Sequence, residues 1–320
     1  MSEVEGSAPS EARHLLKHHP RQFPARTPPC ILSPVTLSVV IITHNEEANL
    51  ARTLESVKPL VADDKGEIIV VDSGSTDRTV EIAKSFGAKV FVEQWKGFAA
   101  QKNSAIDKAT GDYVLSLDAD EAVSLELAEE VQTTVRDAPK GDKFRQTLPD
   151  GTSAPIFVNG FLMPRKNYFL GRWIKHGGFW PDHKLRLFRQ STGRFKDAAV
   201  HEVLEVQEYH NGGIHLVSGR LRGALIHHSY PTLSDYITHM NRYSSLGAEM
   251  VVAKNNGRVR FSAINIVLRP LATFVYNYFF RLGFLDGREG LLLHLYHAVY
   301  VSWKYAKAWE LSRDSSSLSS

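Results

Sequence analysis

The chain has 320 residues, of which 43% are hydrophobic and 23% are charged, and its formal net charge at pH 7 is +3. This balance is typical of a globular protein with a sizeable core, and it excludes a chain that is disordered throughout. The charge gives no reason to expect a nucleic-acid partner. The single cysteine, Cys30, excludes a disulfide framework or a cysteine zinc cluster within this sequence and is typical of a reducing cytoplasm.

Residues 1–34 mix Glu, Ser, His, Arg and Pro and have no central apolar region. We therefore predict a disordered leader here rather than a signal peptide or a membrane anchor.

From Leu37 onwards, short β-branched runs alternate with amphipathic stretches, which is the pattern of a parallel sheet flanked by helices. The runs predict strands at 37–43, 68–72 and 89–93 and a fourth strand that leads into Asp118. The stretches between them predict helices, among them 97–108 and 124–137. We expect Asn45 to cap the first helix, with Glu46 in its first turn, and Asp77 to cap the second.

The fourth strand ends in three closely spaced carboxylates, Asp118, Asp120 and Glu121. The carboxyl end of a buried strand is where open α/β proteins bind their ligands. Carboxylates this close together repel one another unless they share a divalent cation, which in turn can neutralise a diphosphate. The run therefore indicates nucleotide-linked chemistry, the alternative being a solvated strand end.

Four ordered motifs carry a more specific signal. They are Thr43-His44-Asn45-Glu46, Val71-Asp72-Ser73-Gly74-Ser75-Thr76-Asp77, Gln101-Lys102-Asn103 and Asp118-Ala119-Asp120-Glu121. Together they resemble the family 2 glycosyltransferases of the GT-A fold. Later segments, Trp180 to Arg189, Val200-His201-Glu202 and Gly283 to Arg288, are similar to the bacterial branch that includes lipopolysaccharide core β-1,4-glucosyltransferases.

The resemblance implies a nucleoside diphosphate sugar as the donor, with a UDP-sugar as the first candidate. Its motifs imply that Thr43, Asn45 and Glu46 line the nucleotide and that Asp72 accepts a hydrogen bond from the base. Asp118 is expected to contact the ribose, and Asp120 the diphosphate and a divalent cation (Mn or Mg). Lys102 is expected to contact phosphate, the alternative being a surface lysine.

Inversion at the sugar, which the resemblance also implies, requires a base on the acceptor side. The candidates are Glu202, Asp182 and Asp197. Glu202 is the first choice and Asp182 the second, while Asp197 is not ranked. Trp180 and Pro181 before Asp182 suggest an acceptor platform with an aromatic face. His201 is a candidate second metal ligand or an ordinary hydrogen-bonded histidine. Arg186 is expected to reach the diphosphate or to lie on a solvated strand face.

After Pro231 the sequence predicts helices at 233–255, 263–283 and 287–311. The last two are rich in aromatic and basic residues, but no apolar stretch reaches the roughly 20 residues that span a bilayer. They fit either a peripheral contact with the inner face of the cytoplasmic membrane, where a lipid-linked acceptor would be met, or packing against the sheet domain.

The expected organisation is thus an α/β domain at 35–230, with a donor-binding half (37–138) and an acceptor half (156–230), a C-terminal helical region (231–311) and a flexible tail (312–320). The function that it implies is transfer of a hexose, with glucose as the first candidate, to a lipopolysaccharide-core or other lipid-linked glycan. The alternatives are a polyprenyl-phosphate sugar synthase of the same fold and a catalytically degenerate glycan-binding scaffold.

Overall fold

A computed structural model describes residues 36–63, 65–137, 145–147, 153–196, 203–206, 214–216 and 219–317. The predicted leader at 1–34 lies outside these residues.

A ten-stranded sheet forms the centre of the fold. Its main path runs β3-β2-β1-β4-β10-β8-β15-β5, and β9 and β14 each pair with β8. Its strands are β1 (Leu37–Thr43), β2 (Gly66–Asp72), β3 (Lys89–Val92), β4 (Tyr113–Asp118), β5 (Glu121–Val123), β8 (Gly160–Phe169), β9 (Arg172–Trp173), β10 (Asp182–Arg189), β14 (Gly219–Arg220) and β15 (Leu225–Tyr230). Five further short strands complete the described set: β6 (Arg145–Thr147), β7 (Ser153–Val158), β11 (Gly193–Lys196), β12 (Val203–Val206) and β13 (Ile214–Leu216), of which β13 pairs with β7.

The first four strands of the sheet are parallel, as the alternating sequence predicts. Helices cover both faces: α1 (Leu50–Val61), α2 (Thr79–Ser85) and α4 (Leu125–Asp137) share one core with β1, and α3 (Phe98–Asp107) shares the other. Because β1 lies between β2 and β4, the chain reverses its direction of travel across the sheet there. This switch point is the usual ligand crevice of such a sheet.

The second half of the sheet brings strands from residues 160–230 against β4 and β5. β10 is antiparallel to both β4 and β8, while β15 is parallel to β8 and antiparallel to β5. The strand that follows the acidic run, β5, is thus paired with a strand about one hundred residues later in the chain. No local sequence pattern indicates this pairing.

The C-terminal region is helical, as predicted. α5 (Leu233–Lys254) packs on α7 (Gly287–Ser317), and between them lie a π-helical turn (Ile264–Leu268), α6 (Arg269–Val275), a second π-helical turn (Tyr276–Phe280) and a 3-10 turn (Gly283–Asp286). α7 continues through Ser317, beyond the predicted end at Leu311. Among the described residues, no helix combines the length and the apolar character needed to cross a bilayer.

Candidate active site

The carboxyl ends of three parallel strands place three of the predicted residues side by side. Thr43 is the register partner of Asp72, and Asp118 on β4 is the partner of Ile42. Thr43 Oγ1 donates to Asp72 Oδ2 at 2.8 Å. The motifs that the sequence separates by tens of residues therefore meet at one edge of the sheet.

Asp72 is fully buried and accepts four hydrogen bonds. Oδ1 accepts from the backbone N–H groups of Gly74 and Ser75, and Oδ2 accepts from the hydroxyls of Thr43 and Ser75. These bonds fix the turn after β2, so the carboxylate organises the loop that would face a nucleotide. Its predicted contact with a base stays a prediction.

Asn45 does not cap α1, contrary to the prediction. It has a left-handed φ of 54°, and its side-chain Oδ1 accepts from the backbone N–H of Thr76 at 2.8 Å. The helix starts only at Leu50, so Glu46 precedes it rather than lying in its first turn. The prediction failed because the partner of Asn45, Thr76, lies in the loop after β2 and not in the helix that follows Asn45. Asp77 does accept from the backbone N–H of Thr79 at the start of α2, as predicted.

Glu46 lies close to the acidic run. Burial raises its pKa, the hydrogen bond from Asn49 opposes that rise, and the negative charges of Asp120 and Asp118 add to it. Negative charge thus accumulates at the switch point.

Asp118 is the centre of a buried charge network. Lys102 Nζ lies 2.7 Å from its Oδ1, and Arg186 Nη2 lies 2.6 Å from its Oδ2. Burial alone would raise the pKa of Asp118, but Arg186 and Lys102 hold it well below its usual range. Lys102 is 2% exposed and Arg186 is 6% exposed. Lys102 is therefore not a surface lysine, and Arg186 does not lie on a solvated strand face.

Glu121, the third carboxylate of the acidic run, extends this network towards Asp182. It is fully buried; one oxygen accepts from the backbone N–H of Asp118, and the other accepts from Arg186 and Arg165. Arg165 also donates to Asp182 Oδ2 at 3.0 Å. Alternating charges therefore connect Asp118, at the carboxyl end of β4, with Asp182 on the predicted acceptor side. Both carboxylates are held in fixed positions by their ion pairs.

Asp120 points to a different partner, His227. His227 Nε2 lies 3.1 Å from Asp120 Oδ2, and its Nδ1 lies 2.7 Å from Asn167 Oδ1 and from Ser229 Oγ. β15 places the histidine here, since His227 is the register partner of Glu121 on β5. The only sequence signal for His227 is its place late in a short apolar run, which is too weak to select it among 14 histidines.

The chemistry of Asp120 and His227 fits a divalent cation. Carboxylate oxygens suit Mg and Mn, imidazole nitrogens suit transition metals, and a partner on the other ring nitrogen orients such an imidazole. Within the described ranges no group of three or more His, Cys, Asp and Glu side chains could hold a metal ion. A cation here would therefore take further ligands from a bound diphosphate, as is usual for Mg.

A cavity of about 330 Å³ adjoins this pair. His227, Ser229 and Asp182 lie in its wall together with aromatic side chains, and it extends to Leu293 of α7. Burial alone would raise the pKa of Asp182, but Arg165, Lys184 and Asn167 lower it. The structure thus places Asp182, the second choice of base, in the same cavity wall as His227, the partner of the predicted metal ligand Asp120.

Three other predicted residues, Glu202, His201 and Asp197, lie outside the described residues. Their roles stay predictions. Besides His227, sequence reasoning missed Arg165 and Asn167, which fix Asp182 and His227 in position.

Comparisons with known proteins agree with the family resemblance of the four sequence motifs. Residues 38–146 match the model of "Glycosyl transferase family 2". An uncharacterized glycosyltransferase of Rickettsia typhi is 31% identical over 282 residues, which cover 86% of this chain and 87% of the relative. The lipopolysaccharide core biosynthesis glycosyltransferase LpsC of Rhizobium meliloti is 28% identical over 280 residues, 86% of this chain and 92% of LpsC.

Among solved structures, the mannosyltransferase PcManGT of Pyrobaculum calidifontis, in complex with GDP-Man and Mn2+, aligns with a TM-score of 0.43 at 16% identity. The alignment covers 90% of this chain and 88% of that one.

Proposed function

This chain belongs to glycosyltransferase family 2, and from that premise we propose that it moves a hexose from a nucleoside diphosphate sugar to a lipopolysaccharide-core or other lipid-linked glycan, with inversion at the sugar carbon. It is a glycosyltransferase by its family; the donor, the metal, the acceptor and the residue roles are our proposal. A UDP-sugar is the first candidate donor, and the similarity to LpsC supports the acceptor class.

The contact between Asp120 and His227 carries the proposal. It lies between the carboxyl ends of the parallel strands, where a nucleotide would bind, and the cavity that holds Asp182. We propose Asp120 and His227 as the ligands of a divalent cation, with His227 in the place that the sequence suggested for His201. A cation held there would neutralise charge on the departing diphosphate.

Buried polar groups with no hydrogen-bond partner in the described part of the chain support a ligand at this edge. They include Ser73 Oγ, the Gln101 side-chain amide and Arg186 Nε. Buried polar groups are rarely left unpaired in a native protein, so each needs a partner of its own. Ser73 follows the nucleotide-side Asp72, and Gln101 precedes Lys102. We propose that donor oxygens and nitrogens, or ordered water beside them, supply these partners.

For transfer, an acceptor hydroxyl oxygen would form a bond to the anomeric carbon while the bond from that carbon to the diphosphate oxygen breaks. The hydroxyl proton would pass to a carboxylate on the acceptor side. Asp182 is in the cavity wall and is held by Arg165, Asn167 and Lys184. Asp182, Glu202 and Asp197 are the candidates for this base, and the pH dependence of transfer distinguishes Asp182 from the other two.

The network through Asp118, Arg186 and Glu121 would hold groups in position rather than transfer protons. Its charges are mutually neutralised, so its members keep fixed places at the donor edge without adding net charge. Such preorganisation lowers the cost of reorienting groups as charge develops on a leaving diphosphate.

The direct test is a thermal-shift screen with UDP-, GDP- and ADP-sugars, each with and without manganese, followed by donor hydrolysis and transfer. A ligand at one hundred times its dissociation constant stabilises the native state by about 2.7 kcal/mol. We expect a UDP-sugar to raise the melting temperature and manganese to increase that rise. A screen in which no nucleotide sugar shifts the melting temperature would contradict the proposal.

The metal ligands are tested by comparing His227→Asn with the matched variant His201→Asn. We expect His227→Asn to weaken manganese binding in the presence of UDP at least roughly tenfold, since even loss of a group that only orients a ligand costs that much. The reverse order would return the role to His201.

A further inference from the structure

An unusually exposed apolar surface follows α5. The large apolar side chains of residues 261–285 that are more than 40% exposed form what we call the docking face. The most exposed are Phe280 at 74%, Ile264 at 65% and Phe261 at 60%, and Val267, Leu268 and Leu271 follow closely. Single exposed apolar residues are ordinary, but so many within one short segment mark an interaction surface.

The charge of the same segment has one sign. Between Met250 and Leu285 the sequence has no Asp or Glu, although the whole chain is nearly balanced with 38 basic and 35 acidic residues. It has five basic residues there, all of them exposed: Lys254, Arg258, Arg260, Arg269 and Arg281. Exposed apolar side chains bordered by basic ones are complementary to an anionic lipid surface.

Repulsion between these charges disfavours a second copy of the chain as the partner that covers the docking face. In a two-fold symmetric dimer each patch meets itself, so the arginines of one copy would face those of the other without any acidic partner from this segment. An anionic bilayer has no such repulsion. Because the segment has neither the length nor the apolar character to cross a bilayer, it would lie along the surface.

The docking face is joined directly to the wall of the cavity. The Arg281 carbonyl accepts from the backbone N–H of Gly177 at 2.9 Å, and a Cβ added to Gly178 would lie 2.1 Å from Arg281 Nη1. Asp286, which is 2% exposed, accepts from the backbone N–H groups of Lys175 and His176. Gly178 and Phe179 line the cavity, so the face and the cavity share one segment of chain.

We propose that the docking face binds an anionic lipid bilayer and thereby holds the cavity at the membrane surface, where a lipid-linked acceptor would be presented. The membrane contact stands on the exposure and charge of residues 250–285. Only the presentation of an acceptor rests on the proposed function.

The experiment is flotation of the full chain with vesicles of phosphatidylglycerol and phosphatidylethanolamine, and with phosphatidylcholine vesicles for comparison. We expect flotation with the anionic vesicles at low salt, and its loss in the double variant Ile264→Asn/Phe280→Asn. The matched control is Leu125→Asn, which changes an apolar residue that is 80% exposed at the start of α4 and should float like the wild type.

Two charge variants test the electrostatic part. Arg258→Gln and Arg260→Gln should each lower the partition coefficient about fivefold, the effect of one basic residue near an anionic surface. Lys84→Gln on the exposed side of α2 should leave it unchanged. An unchanged circular dichroism spectrum and melting temperature in every variant show that the fold is intact.

Absence of flotation with anionic vesicles would overturn the proposal, as would docking-face variants that float like their controls. A dimer that Ile264→Asn/Phe280→Asn dissociates, with no vesicle binding, would overturn it in favour of a second copy. Catalysis is not the readout. A protein that floats but neither hydrolyses nor transfers from any nucleotide sugar would refute the proposed transfer and still support docking.

Discussion

Lys102 Nζ lies 2.7 Å from Asp118 Oδ1, and the lysine is 2% exposed. An ammonium group is buried this deeply only where a carboxylate compensates the loss of hydration. The ammonium also lies 5.1 Å from the centre of the Phe195 ring. Lys102 therefore links α3, the end of β4 and β11, and its removal should affect the whole donor edge.

Lys102→Met should lower the free energy of unfolding by about 3 kcal/mol, since breaking a buried ion pair leaves the partner charge poorly compensated. Urea unfolding measures this loss. The matched control is Lys65→Met, whose partner Asp63 is 83% exposed, and it should cost less than about 1 kcal/mol. Equal losses in the two variants would contradict the structural role of Lys102.

Asp120→Asn should reduce sugar transfer by about two orders of magnitude, the loss typical of removing one group that stabilises charge in a transition state. The change keeps the shape of the side chain and removes the charge that would hold a cation. Steady-state transfer with manganese measures it, and circular dichroism checks the fold. Asp63→Asn is the control, because that exposed residue has a left-handed φ that Asn tolerates. Full activity of Asp120→Asn would disprove the metal assignment.

The identity of the base can be determined from the acid limb of kcat/KM. Because Arg165 and Lys184 lower the pKa of Asp182 against the effect of burial, a base at Asp182 puts this limb below about pH 4, the ordinary value of an aspartic acid. Arg165→Gln removes a positive charge, so the pKa of Asp182 rises and the limb should move to higher pH.

Arg172→Gln is the control for this series, because Arg172 contacts Glu289 rather than Asp182. An acid limb that stays in place in Arg165→Gln would exclude Asp182 as the base and favour Glu202 or Asp197.

His294 should make the protein sensitive to mild acid. It is 1% exposed, neither ring nitrogen has a hydrogen-bond partner among the described residues, and burial, with His297 and Arg281 nearby, lowers its pKa to about 4. The unfolded chain takes up the proton near pH 6.5, so stability is full above that pH and falls as the pH drops towards 4. We expect about 2 kcal/mol less stability at pH 4.5 than at pH 7 from this group.

His294→Leu should flatten this pH dependence, as measured by urea unfolding at the two pH values. His183→Leu, on an exposed position of β10, should leave it as it is in the wild type. Parallel pH profiles of wild type and His294→Leu would show that another group is responsible.

The donor half could be predicted from the sequence because its signals are local. Each β-branched run and each amphipathic helix shows its own period, and the strand Leu37–Thr43 matches the predicted bounds. The residues of the acceptor side could not be predicted in this way. His227, Arg165 and Glu121 meet only because β15, β8 and β5 pair across long sequence separations, and a lone histidine or arginine on a strand has no signal for such a partner.

The position of His227 also depends on the register of β15 against its two neighbours, β5 and β8. It is opposite Glu121, and Ile226 is opposite Ala122, in an antiparallel pair that is only three residues long. Successive side chains of a strand project to opposite sides, so inserting or deleting one residue before Leu225 would present Ile226 or His228 to Asp120 in its place. A change of chain length in that loop would thus abolish the contact between Asp120 and His227 without altering either residue, and tolerance to such changes should be lower there than at any exposed turn of the same length.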